Sequence, residues 1–86
     1  MAVDWDGVWF VYILKSQAAS ERYYTGITVD LRARLQRHND GLVPSTKSNR
    51  PWAVKTYVAF SDADQALAFE RYLKSSSGRA FAKKRL

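Results

Sequence analysis

Residues 8–14 form a nearly unbroken apolar run, Val-Trp-Phe-Val-Tyr-Ile-Leu, and no other stretch constrains the fold as much. Its β-branched and aromatic content, and its length, predict a strand buried on both faces. A polar loop over residues 15–22 leads to a second strand at 23–29 with a glycine inside it. The short connection predicts an antiparallel hairpin. Gly26, in a strand interior, predicts that some other group approaches the backbone closely there.

The remaining elements follow from period and punctuation. Thr28 or Asp30 can cap a helix over residues 31–39, whose inward stripe is Leu31 and Leu35. Asn39-Asp40-Gly41 ends it, the glycine suiting a left-handed C-terminal position. Residues 42–51 lack periodicity and contain both prolines, which predicts a loop. Residues 54–60 read as a third strand, and Ser61 or Asp62 caps a helix reaching about residue 74. Ser75-Ser76-Ser77-Gly78 is expected to break that helix, leaving a short basic segment at 79–86 of one or two helical turns. The order is β-β-α-β-α-(α): three strands with helices packed on them, an α+β domain.

The 86 residues make one small domain, 1–86, with no internal repeat. Such a chain buries only about 60% of the surface its unfolded form exposes, so its stability margin is thin. There is no cysteine, which excludes disulfides, thiolate metal sites and thiol nucleophiles. No apolar run approaches the ~20 residues that span a bilayer. Residues 1–6 carry two aspartates and no basic side chain, unlike a signal peptide, so the cytoplasm is the expected compartment. The net charge of +6 favours polyanionic partners, nucleic acid before anionic membrane; ordinary solubility is the competing explanation.

Four kinds of residue could carry chemistry. Glu70 falls on the second helix's apolar stripe of Ala63, Ala66, Leu67 and Leu73. An ionised carboxylate there is costly unless it is paired or holds a metal. A salt bridge to a neighbouring arginine, or a margin position open to water, would also explain it. Arg34 and His38 lie one turn apart, each three residues after a stripe leucine, which predicts both at the rim where helix meets sheet. A guanidinium there suits phosphate and an imidazole could shuttle a proton; a solvated basic face is the bland alternative. Tyr12 and Tyr24 sit on paired strands, with core packing as their default explanation. Tyr23 must point away from Tyr24. A phenol serves as base only if nearby positive charge lowers its pKa, charge that Arg34 and a metal could supply. Finally, Lys47, Arg50, Lys74, Arg79, Lys83, Lys84 and Arg85 could contact backbone phosphates or simply face water. Trp52 could stack on a base, but a core anchor fits it better. One histidine, no cysteine and no acidic cluster argue against zinc, and no phosphate-binding glycine loop is present.

In order and spacing these segments resemble the GIY-YIG nuclease superfamily, particularly its small single-domain bacterial members. The resemblance rests on Val11-Tyr12-Ile13-Leu14, Tyr23-Tyr24-Thr25-Gly26-Ile27-Thr28, Asp30-Leu31 with Arg34 and His38-Asn39, Arg50-Pro51-Trp52, and Phe69-Glu70-Arg71-Tyr72-Leu73-Lys74. The tail from Ser77 to Lys84 looks like that of a subgroup. Phe10 and Thr25 depart from the name motif, but neither position supplies a chemical group.

The resemblance implies a three-stranded antiparallel sheet flanked by helices. It implies catalytic roles for Tyr12, Tyr24, Arg34 and His38, with Glu70 holding one divalent ion, Mg²⁺ or Mn²⁺. The expected activity is metal-dependent hydrolysis of phosphodiester bonds, with DNA ahead of RNA as substrate, leaving a 5′-phosphate and a 3′-hydroxyl. Structure or backbone rather than base sequence would direct it, because the extra DNA-binding domains of site-specific relatives are not in this chain. A non-catalytic nucleic-acid-binding module and a protein-interaction subunit of a repair complex are the competing expectations. No membrane partner is expected.

Overall fold

A computed structural model describes residues 6–86; the acidic opening considered above lies almost wholly outside them. Strand β1, Trp9–Ser16, pairs with β2, Tyr23–Thr28, in an antiparallel hairpin. Helix α1, Leu31–Asn39, and a 3-10 helix, Pro44–Asn49, lead to β3, Trp52–Phe60, which returns antiparallel to the other side of β1. Helices α2, Ala63–Leu73, and α3, Ser76–Arg85, complete the chain. The sheet order β2-β1-β3 puts the apolar run of β1 at the centre, so the expected α+β class and antiparallel sheet are found.

β1 needs burial on both faces and receives it from two different covers. Val11 and Ile13 point toward Ala66 and Leu73 of α2, with Phe69, Ala82 and Leu86 packed around them. Tyr12 and Leu14 point the other way, toward Trp52, with Leu31 and Leu35 of α1 beside them. Within β3 the register to β1 shifts between Ile13 and Leu14, which face Thr56 and Val54, so Lys55 is an extra residue in a bulge.

Capping follows the sequence. Asp30 accepts from the Ala33 N–H at 3.1 Å and Asp62 accepts from the Asp64 N–H at 2.9 Å. Gly41 closes α1 with φ +77°.

Three expectations need correction. The loop over 42–51 contains the 3-10 helix, and β3 begins two residues early, at Trp52. The early start follows from β1 running on to Ser16, which pairs with Trp52, while the Asn39 amide holds Trp52 as well: it accepts from the Trp52 N–H at 2.6 Å and donates to the Trp52 carbonyl at 3.0 Å. The serine run does not break the chain into loop. Ser75 donates to the Tyr72 carbonyl that ends α2 and caps α3 by accepting from the Gly78 N–H, so α3 starts at once. Gly78 then lies against the Tyr72 carbonyl too closely for any Cβ.

Candidate active site

The two tyrosines meet across the hairpin. Tyr12 is in register with Gly26, and Tyr24 with Leu14, on the same face. Their ring centroids are 6.4 Å apart, and Tyr23 points to the opposite face as expected. Gly26 makes the arrangement possible: the Tyr12 phenol lies across its bare backbone, where a Cβ would collide with the ring. The close approach foreseen at Gly26 is made by Tyr12 itself.

His38 enters from the last turn of α1. It is not at the rim as the stripe pattern predicts but 0% exposed, because Thr46 of the 3-10 helix and the two tyrosines enclose it. Its Nδ1 lies 2.8 Å from Thr46 Oγ1, and its Nε2 lies 3.0 Å from the Tyr12 hydroxyl. The direction of these bonds can be worked out from the far end. Thr46 gives its one hydroxyl proton to the Val43 carbonyl at 3.2 Å, so it accepts from Nδ1–H. A neutral imidazole protonated at Nδ1 has a lone pair at Nε2, and the Tyr12 hydroxyl donates to it. Burial, and secondly Arg34, hold the His38 pKa below its ordinary value, so the ring is neutral at pH 7.

Arg34, one turn earlier on α1, faces both phenols. Its interaction with the Tyr12 hydroxyl raises its own pKa above the usual guanidinium value, against the opposing effect of burial. Its Nε is buried and makes no hydrogen bond, a donor suited to an anionic oxygen. Arg34 was expected to bring a phenol pKa down. Burial instead raises that of Tyr12, outweighing Arg34, and the charges of Tyr24 and Glu70 add to the rise. Tyr12 is therefore a neutral hydroxyl at physiological pH. Tyr24 stands with its ring 4.9 Å from that of His38.

Glu70 belongs to α2, on the other side of the sheet. It is 8% exposed, on a buried stripe of Ala66, Glu70 and Leu73 from which Ala63 and Leu67 are excluded. Its Oε2 pairs at 2.6 Å with Nζ of Lys74, the residue that caps the end of α2, rather than with an arginine, and the Lys74 side chain is half exposed. The carboxylate is near enough to influence Tyr12 electrostatically. Four of the five expected residues thus touch one another, and Glu70 stands within reach of their charge. Among the described residues no three metal-binding side chains cluster. A lone carboxylate whose Oε2 is engaged by a lysine is not the multi-ligand set that zinc takes, and any divalent ion there would have to compete with Lys74 and take its other ligands from water and phosphate.

The basic residues divide into groups. Lys74, Arg79 and Lys83 line one cleft, whereas Lys84 and Arg85 are exposed on the last turn of α3. Lys47 is exposed on the 3-10 helix. Arg50 braces that helix, its Nε donating to the Lys47 carbonyl at 2.8 Å. Trp52 is a core anchor, donating through Nε1 to the Thr46 carbonyl at 2.8 Å. Thr46 is the residue that sequence reasoning missed. The only usable signal was indirect, since a buried imidazole needs a partner for each nitrogen.

This geometry agrees with what the chain is similar to. The GIY-YIG catalytic domain matches residues 8–85. A UPF0213 protein of Cupriavidus necator is 32% identical over 80 residues, covering 88% of this chain and 85% of that protein. A UPF0213 protein of Cupriavidus pinatubonensis is 36% identical over 70 residues, covering 80% of this chain and 76% of that protein. With its hairpin tyrosines, its helix arginine and histidine, and a family match over nearly its full length, the chain belongs to the GIY-YIG nuclease superfamily.

Proposed function

We propose that the protein is a metal-dependent endonuclease that hydrolyses phosphodiester bonds in DNA, directed by structure or backbone rather than base sequence. The observation that carries this reading is the directional chain from Tyr12 through His38 to Thr46, with Arg34 beside its Tyr12 end.

A neutral phenol cannot act as a phenolate base, but it can relay. As water attacks phosphorus, its proton passes to the Tyr12 oxygen while the Tyr12 proton passes to His38 Nε2. The new P–O bond forms as the P–O3′ bond breaks, leaving a 5′-phosphate and a 3′-oxygen. Thr46 accepts from Nδ1–H throughout and so keeps Nε2 as the receiving atom. The imidazolium, buried and facing Arg34, is a poor resting place for a proton and returns it by the same route to the 3′-oxygen or to solvent. Arg34 offers its guanidinium, including the unpartnered Nε, to the phosphate oxygens. Glu70 would hold one divalent ion, which when bound supplies Lewis-acid stabilisation of the phosphoryl charge.

The test is a cleavage screen over nicked, branched and single-stranded DNA, with magnesium or with chelator. Cleavage is expected only with metal, and is expected to disappear in Glu70→Ala and Tyr12→Phe. The Glu70–Lys74 ion pair favours a second reading, a nucleic-acid-binding module whose carboxylate is permanently neutralised. No cleavage of any substrate, with binding intact in both variants, would select that reading.

A further inference from the structure

On the face of the sheet away from Tyr12 and His38 lies a cleft of about 710 Å³ between β2, β3 and the last two helices. Its floor is apolar, made by Ile13, Leu73 and Ala82, and its walls carry Lys55, Lys74, Arg79 and Lys83 against a single acid, Glu21. These four cations come from three separate elements, so the fold rather than a local charge run assembles them. Lys74 is paired with Glu70; among the described residues the other three have no ion-pair partner. Lys55 is the bulged residue of β3, and a bulge commonly re-aims the side chain it inserts. Here Lys55 crosses to β2 and stands 5.6 Å from the centroid of the Tyr23 ring, which is 46% exposed.

We infer that this cleft binds an unpaired nucleic-acid strand, a second contact that would steer the nuclease toward substrates with single-stranded flanks. Its size suits one or two nucleotides, ligand pockets being roughly 300–1,000 Å³. The combination of an apolar floor, an exposed aromatic ring and surrounding cations is what an unpaired strand requires: bases stack while phosphates meet lysine and arginine. The cleft also adjoins the proposed chemistry. β2 is an edge strand, its Tyr24 borders both sites, and Lys74 joins the cleft wall to Glu70. A strand could therefore pass around the free edge of the sheet from one site to the other. The inference rests on the nuclease reading for its purpose, but the binding itself can be measured without cleavage.

The experiment is fluorescence anisotropy of the whole protein with a labelled 12-nucleotide single strand and the matching duplex, in chelator, across a salt series. Lys55→Ala/Arg79→Ala/Lys83→Ala changes only exposed side chains, and its folding is checked by thermal melting. It should bind the single strand at least tenfold more weakly, and its log–log salt slope should be shallower by about 2, at ~0.7 per lost phosphate contact. Tyr23→Ser should weaken binding and Tyr23→Phe should restore it, since the ring rather than the hydroxyl stacks. Arg32→Ala/Arg37→Ala, two exposed cations of α1, serves as the control. Unchanged single-strand affinity in the triple variant, a loss no larger than the control's, or equal losses for strand and duplex would each overturn the inference. If the protein cleaves DNA while any of these holds, the cleft assignment alone has failed. If it never cleaves yet the triple variant loses the single strand, the nuclease reading alone has failed.

Discussion

The two faces of the central strand alternate along the same eight residues and do different work. Val11 and Ile13 meet alanine, leucine and phenylalanine, side chains that neither donate nor accept a proton. One residue away, Tyr12 meets an imidazole, a guanidinium and a second phenol. The first face holds the molecule together by excluding water; the second holds polar groups out of water and must satisfy each of them. The same alteration therefore has different consequences on each side: lost volume on one, lost direction on the other.

The sharpest way to break the contrast is Tyr12→Phe. It preserves the ring over Gly26 but removes the relay, so cleavage should fall about 10²–10⁴-fold, the range of general acid–base catalysis. Single-turnover rates measure it, and an unchanged rate would remove Tyr12 from the chemistry. Next comes its neighbour on the packing face. Val11→Ala should cost about 2–3 kcal/mol of stability by leaving a cavity, while the rate per folded molecule stays near wild type. Denaturant melts alongside activity separate the two. Thr46→Val should be milder, about 1–3 kcal/mol for an imidazole N–H left buried without an acceptor. Thr46→Ser should recover both stability and rate, which distinguishes a lost hydrogen bond from a lost methyl group.

The smallest effect is a pH dependence. The folded His38 resists protonation, so its contribution to stability is complete above the ordinary imidazole value of about 6.5 and is lost as pH falls below it, down through the lower folded value. Tyr12 acts in the opposite sense: its raised pKa gives stability that is complete below about pH 10 and declines above it. Melting temperatures against pH should show both limbs. The alkaline limb should flatten in Tyr12→Phe and the acid limb in His38→Gln; unchanged limbs would contradict the burial of these groups.

Much of this contrast was legible in the chain itself. The seven apolar residues required a central strand, the leucines of α1 set its inward edge, and alternation separated Tyr23 from Tyr24. His38 was misjudged because periodicity measures a helix against the sheet beneath it and knows nothing of a loop folding over its end. Residues 42–51 carry no repeat, so neither the 3-10 helix nor its Thr46 could be read there. The serine run misled for a related reason. Serine is favoured both where a helix stops and where one starts, and Ser75 serves both uses at once. The rise in the Tyr12 pKa depends on how far burial outweighs one neighbouring cation, a balance that spacing along the chain cannot express.

Gly26 turns one letter of β2 into a gauge of a hydroxyl on β1. The ring of Tyr12 can lie flat over the hairpin only while position 26 has nothing to put in its way. Even a methyl group there would tilt the phenol off its imidazole acceptor and undo the arrangement from a strand that contributes no proton to it. Among chains built on this hairpin, an alanine at that position would mark a protein that has kept the scaffold and given up the reaction.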